Sequence, residues 1–179
     1  MLTRFVDRGA VVAAFVGLGM AVTIGMSFLL IIPIEPVYWA LAIPAGLLIG
    51  YYANARSGRL RGQWGRILTN AAFAGLVTGL AFAALLLGIK ALFFVADDGY
   101  RDPGLGGRIT CHTGADCVYR RYQDNQPETL TDAGVTDTAS FSAYYWAQQQ
   151  SSAALLILLA TGFGVAGGAL YGVTRPPRE

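Results

Sequence analysis

Four long apolar runs alternate with short or polar segments along this 179-residue chain. The first, 9–32, is long enough to cross a hydrocarbon core of about 30 Å, which takes roughly 20 helical residues. At 33–36 the pair Pro33 and Pro36 breaks the run, because proline cannot continue the helical hydrogen-bond ladder and pushes its predecessor into extended geometry. The second run, 37–54, opens with Tyr38 and Trp39 and closes with Tyr51 and Tyr52, which we expect at the membrane interfaces. Pro44 within it is expected to kink the helix. The third run, 67–96, is longer than a bilayer requires. The fourth, 148–174, enters its most apolar part near Ala153.

Between the third and fourth runs lies 97–147, the only long segment polar enough to live in water. Lys90, 92–96 and Gln148, Gln149 and Gln150 are expected at or beyond the outer interface, where the two helices would project as a short stalk. Phe141, Tyr144, Tyr145 and Trp146 then fall in the first turns of the fourth helix, capped near Thr138 or Ser140. The predicted fold is an all-α membrane protein, a single membrane domain over 1–179 with four transmembrane helices and a small outer cap at 97–147.

Composition agrees with the pattern. With 54% hydrophobic and 13% charged residues and a mean hydropathy of +0.47, the chain lies outside the range of soluble domains. A net charge of +2, with arginines in short groups, excludes a nucleic-acid face. The first run is too long for a signal-peptide core and lacks a small-x-small cleavage site, so we expect it to remain as an anchor. Eight arginines fall in the amino terminus (Arg4, Arg8), the linker 55–66 (Arg56, Arg59, Arg61, Arg66) and the tail (Arg175, Arg178), against four in the long loop, which also carries eight acids. By the positive-inside rule both termini and the linker are cytoplasmic and 97–147 is extracytoplasmic, in a multi-pass protein of the cell membrane. Abundant arginine, glycine and alanine beside a single lysine point to a prokaryotic, GC-rich source.

Each span carries small residues four apart, a row through Gly17 and Gly25, one through Gly46 and Gly50, one through Gly75 and Gly79, and one through Gly164, Gly168 and Gly172. Lipid supplies little hydrophobic drive for helix association, so contact rests on close van der Waals approach between such faces. We expect these rows to pack the bundle. The last helix, whose glycines spread round more than one side, is expected to keep a face for a partner. Two short echoes, 13–18 with 71–76 and 38–40 with 145–147, raise a parallel repeat of helical hairpins.

Candidate chemistry is sparse. Cys111 and Cys117 are the only cysteines; the segment 108–122 alternates and turns at Thr113 and Gly114, so we read a hairpin cross-linked by a disulfide in an oxidising compartment. Disulfide-forming membrane enzymes need a Cys-x-x-Cys pair and a second pair, and neither is present. His112, with Cys111, Cys117 and Asp116, is a weaker metal candidate than an exposed loop residue. Lys90, the only charge inside a predicted span, and Asn70 form a possible intramembrane polar site. Lys90 stands close enough to Asp97 to reach the interface. Asn70, Thr23 and Thr78 are expected to bond between helices. Asp97, Asp98 and Asp102 lack calcium-loop spacing. No nucleotide, triad or zinc-protease motif occurs, and no cofactor or bound metal is expected. The large loop between the third and fourth helices resembles that of tetraspanins, but the Cys-Cys-Gly signature is absent and the name is not carried over. The leading expectation is a non-catalytic interaction or accessory protein, packing in the bilayer on itself or on other membrane subunits. A small oligomeric transporter or channel subunit comes second, and a membrane thiol oxidoreductase third.

Overall fold

A computed structural model describes residues 6–30, 35–58, 62–96 and 114–174. They form six helices, α1 (Arg8–Leu30), α2 (Glu35–Ser57), α3 (Trp64–Ala96), α4 (Ala115–Asn125), α5 (Pro127–Asp132) and α6 (Thr138–Thr174), with no strand among the described residues. Four of them, α1, α2, α3 and α6, are long and apolar enough to cross a membrane, the architecture of a multi-pass helical membrane protein. Hydrocarbon offers the backbone no hydrogen bonds, so an apolar run of this length is stable only when every N–H and C=O is satisfied within the helix. At 1.5 Å per residue, the 33 residues of α3 and the 37 of α6 extend about 50 and 55 Å, well beyond a hydrocarbon core.

Local chemistry sets the breaks. Pro36 sits in the first turn of α2, where its missing N–H is no loss. The helix runs on through the exposed Pro44 to Ser57, and Gly58, at φ +62°, ends it in the left-handed conformation that glycine adopts without strain. The arginine-rich linker is therefore partly helical: Arg56 lies in the last turn of α2 and Arg66 in the first turn of α3, whereas Arg59 and Arg61 lie outside the described residues.

The chain divides into two compact units, Met1–Leu86 with Ser152–Glu179, and Leu87–Ser151. In the first, one core cluster gathers Ala21, Tyr38, Ala42, Ala45, Phe82, Leu86 and Leu156, and a second gathers Val6, Ala10, Ala13, Ile49, Ala53 and Ala74. Tyr38, expected at an interface, is wholly buried, its ring edge-on to Phe82 with centroids 6.2 Å apart. Filling the space between alanine-rich helices takes a large ring, and the core claims it. Tyr51 and Tyr52 stay exposed. The echo at 38–40 and 145–147 extends to burial, since Tyr38 and Tyr145 are buried, Trp39 and Trp146 half-buried, and Ala40 and Ala147 exposed.

The second unit overturns one reading. Its residues after Gly114 were expected to form one arm of a hairpin, yet 115–125 is helix α4. Alternation would put Arg120 on one face with Val118 and Tyr122; the helix instead turns Val118, Tyr119 and Tyr122 to a common core and leaves Arg120 exposed. The other arm, 108–113, lies outside the described residues. Phe94, Val118, Leu130, Val135, Phe141 and Tyr145 make the core, and Phe141 has Tyr119 at 5.3 Å and Tyr122 at 5.1 Å between ring centroids.

Helix ends in this unit are closed with care. Gly134, at φ +67°, donates to the Thr131 carbonyl while Val135 donates to that of Leu130, and Leu130 and Val135 meet in the core. This is a Schellman closure with its hydrophobic contact. Asp137 caps α6: its Oδ1 accepts the Ser140 N–H at 2.7 Å, and Ser140 Oγ accepts the Asp137 N–H at 3.1 Å, a reciprocal capping box. The Thr138 hydroxyl donates to Asp116 at 2.6 Å, tying the start of α6 to the start of α4.

Those bonds from Ser140 hold the Asp137 carboxyl below the usual carboxylate range. A carboxyl with a lowered folded pKa adds stability that is complete above its unfolded value, about 3.9, and is lost as pH falls through the folded one. We therefore expect Asp137→Ala to lower the melting temperature of the aromatic cluster's near-ultraviolet dichroism at pH 7. Asp137→Asn, which keeps the cap, should lose much less and should flatten the acid dependence.

Candidate functional site

The most polar place in the first unit lies where α1, α2 and α3 meet. Asn54 and Asn70 are both completely buried. Asn54 Nδ2 donates to the Gly50 carbonyl, 3.1 Å, and to that of Ile67, 3.0 Å, so it ties α2 to α3. Asn70 Nδ2 donates to Asn54 Oδ1 at 3.5 Å and to Asp7 Oδ2, while its Oδ1 accepts the Asp7 N–H at 3.0 Å. Asp7 in turn opens α1, its carbonyl accepting the N–H groups of Ala10 and Val11 at 3.0 and 3.2 Å. A carboxylate and two carboxamides thus form one chain through three helices. A half-buried carboxylate beside an amide relay has the chemistry to take part in proton or cation handling. In this geometry the carboxamide hydrogens are spent on protein acceptors, which makes the chain a fastening.

Of its members, the sequence reading singled out Asn70 but not Asp7 or Asn54. A signal for Asn54 was present, because it continues the row of small residues Ala42, Gly46 and Gly50 on the packing face of α2. Asp7 carries no such sign beyond its place just before an apolar run.

Thr23 and Thr78 do not bond between helices. Each hydroxyl donates to the carbonyl four residues back in its own helix, Gly19 at 3.0 Å and Ala74 at 2.8 Å, the acceptor closest at hand. Thr78 is completely buried and serves as packing, its hydroxyl set against Gly17.

The glycines of the rows face backbone. A Cβ on Gly46 would come within 2.5 Å of the Ala160 carbonyl oxygen, and one on Gly50 would lie 2.6 Å from the Gly164 carbonyl carbon. Gly75 meets Ala160 and Gly164, Gly79 meets Ile157, and Gly168 meets Ala71, so α6 lies against α2 and α3 with backbone close to backbone. Gly17 rests on Thr78, Gly25 on Leu85, and Gly172 on the Trp64 ring. In α6 the expectation of a glycine face kept for a partner narrows to Gly162, which has nothing within 4 Å; Gly167, instead, abuts Leu47.

In the second unit, Lys90 is half-buried in α3 and Cys117 is 3% exposed and carries no free thiol. Cys111, His112, Asp97, Asp98 and Asp102 lie outside the described residues. No group of three or more histidine, cysteine or acidic side chains is placed to hold a metal ion among the described residues. Trp39 Nε1, Thr161 Oγ1 and both amide atoms of Gln149 are enclosed without a hydrogen-bond partner among the described residues. No protein-family model matches the chain, and the comparisons with curated proteins and with solved structures return no match.

Substitutions at the glycine rows and at the buried asparagines check this account of the bundle. Gly50→Ala should cost about 1–3 kcal/mol of unfolding free energy in detergent or bicelles, the range for overpacking against backbone that cannot yield. Gly162→Ala should cost nothing and can gain up to about 1 kcal/mol through helix propensity. Asn70→Ala should cost about 1–2 kcal/mol, at the upper end for bonds between membrane helices, and a double-mutant cycle with Asn54→Ala should be non-additive.

Proposed function

We propose that this chain is a membrane-anchored interaction protein, an accessory subunit whose helical bundle holds it in the bilayer and whose unit Leu87–Ser151 provides the surface for contact. In this reading both termini and the α2–α3 link are cytoplasmic and the second unit is extracytoplasmic, with a Cys111–Cys117 disulfide pinning the start of α4. The excess of arginines near the termini and the link supports that orientation. The burial of Cys117 and its lack of a free thiol support the bridge.

The observation that carries the reading is the contrast between the two units. The bundle turns most of its row glycines and both buried asparagines onto its own helices, whereas the second unit builds a separate aromatic core with an exposed polar face along α4 and α5. Asp116, Arg120, Asp124, Glu128 and Asp132 are all exposed there. A folded polar surface of this kind suits recognition by a partner. The partner is another membrane subunit or a second copy of the chain.

Native mass spectrometry of the protein extracted gently from its own membrane tests this. The expected result is a defined complex of fixed stoichiometry, with Cys111 and Cys117 oxidised, that dissociates when Asp124 and Glu128 are both replaced by lysine. A monomer in every mild extraction, or a complex indifferent to that double replacement, would overturn the assignment of contact to this face.

A further inference from the structure

Gln149 differs from its neighbours. Gln148 and Gln150 are exposed, but Gln149 is 1% exposed, and neither its Oε1 nor its Nε2 has a hydrogen-bond partner among the described residues. A carboxamide brings two N–H donors and two acceptor lone pairs, so its full hydrogen-bonding capacity is enclosed there. Enclosed polar groups that the protein does not pair are met by internal water, which typically makes about three bonds.

The register of the helices shows what else lies at this depth. α3 and α6 run antiparallel, Gly79 against Ile157 and Gly75 against Gly164. Within the second unit the Phe94 ring sits 4.9 Å from that of Tyr145 and 5.4 Å from that of Trp146. One helical turn back along α3 from Phe94 is Lys90, and one turn on along α6 from Tyr145 is Gln149. An ammonium and a carboxamide therefore share a level one turn from a layer of three rings.

We propose that Gln149 is the binding residue of an internal hydration site, holding a water-sized ligand that donates to Oε1 and accepts from Nε2. The ligand is of this class because a group bonded to both amide atoms must donate and accept at once, and water is the smallest that does. Larger anions are disfavoured by the side chain's near-complete enclosure. The site makes this turn of α6 a hydrated point one turn from the aromatic layer of Phe94, Tyr145 and Trp146.

The test is nuclear magnetic resonance on the full chain in nanodiscs, labelled with ¹⁵N at glutamine. The Gln149 side-chain amide is assigned through its own backbone resonances and checked by its loss in Gln149→Leu. We expect cross-relaxation from this amide to a long-lived water, and persistence of its signal in a soluble gadolinium chelate that bleaches Gln148 and Gln150. An amide with no water cross-peak would be dry and would overturn the site. Bleaching to the same extent as Gln148 and Gln150 would show the side chain turned out to bulk solvent and would overturn it equally.

Discussion

Where α2 crosses α6, Gly50 faces the backbone of Gly164 with no side chain between them, and the rest of the first unit follows from how near that brings the two helices. Inside lipid the energy of association comes from contact, which falls steeply with separation, so removing a methyl group at Gly46, Gly50, Gly75 and Gly79 matters more than adding apolar surface would. The polar fastening depends on the same closeness. Asn54 is one turn from Gly50, and its amide lies where a Cβ on Gly168 would come within 3.3 Å. A larger residue at Gly168 would crowd the carboxamide that reaches Ile67. Small residues and buried asparagines are therefore one device, the first making room and the second using it.

The second unit is held by different forces. Rings of Phe94, Tyr119, Tyr122, Phe141 and Tyr145 supply the apolar area that so short a stretch needs, and pairs at 5–6 Å add the edge and offset geometries that aromatic rings favour. The helices lying wholly within it are too short to persist alone, α4 having eleven residues and α5 six. The Schellman turn at Gly134 and the box at Asp137 and Ser140 supply what helix propensity does not. One unit is thus packed through the absence of side chains and the other through their bulk.

That difference also explains what was legible in the chain. Spans are apolar over about twenty residues or more and glycine rows repeat every fourth residue across two to four turns, so both stand out against the background. The outer helices are shorter: Ala115, Val118, Tyr119 and Tyr122 do follow the helical period, but over only two turns and directly after the turn residue Gly114, which a hairpin would share. The stops were nonetheless present as Pro127, Gly134 and the Asp137-to-Ser140 spacing. Burial of Tyr38 and enclosure of Gln149 were not readable, since both depend on which side of a nearly uniform apolar helix meets its neighbours. Asp7 acquires its role only from Asn70, 63 positions away.

The order in which the chain is made gives the Gly50 and Gly75 contacts a further meaning. Both look to Gly164, which the ribosome reaches about 70 residues after it has finished α3. At roughly 5–20 residues per second, several seconds pass before that partner exists. During biogenesis the glycine grooves of α2 and α3 therefore stand open in the bilayer, and lipid or an insertion factor must occupy them until α6 arrives to displace it.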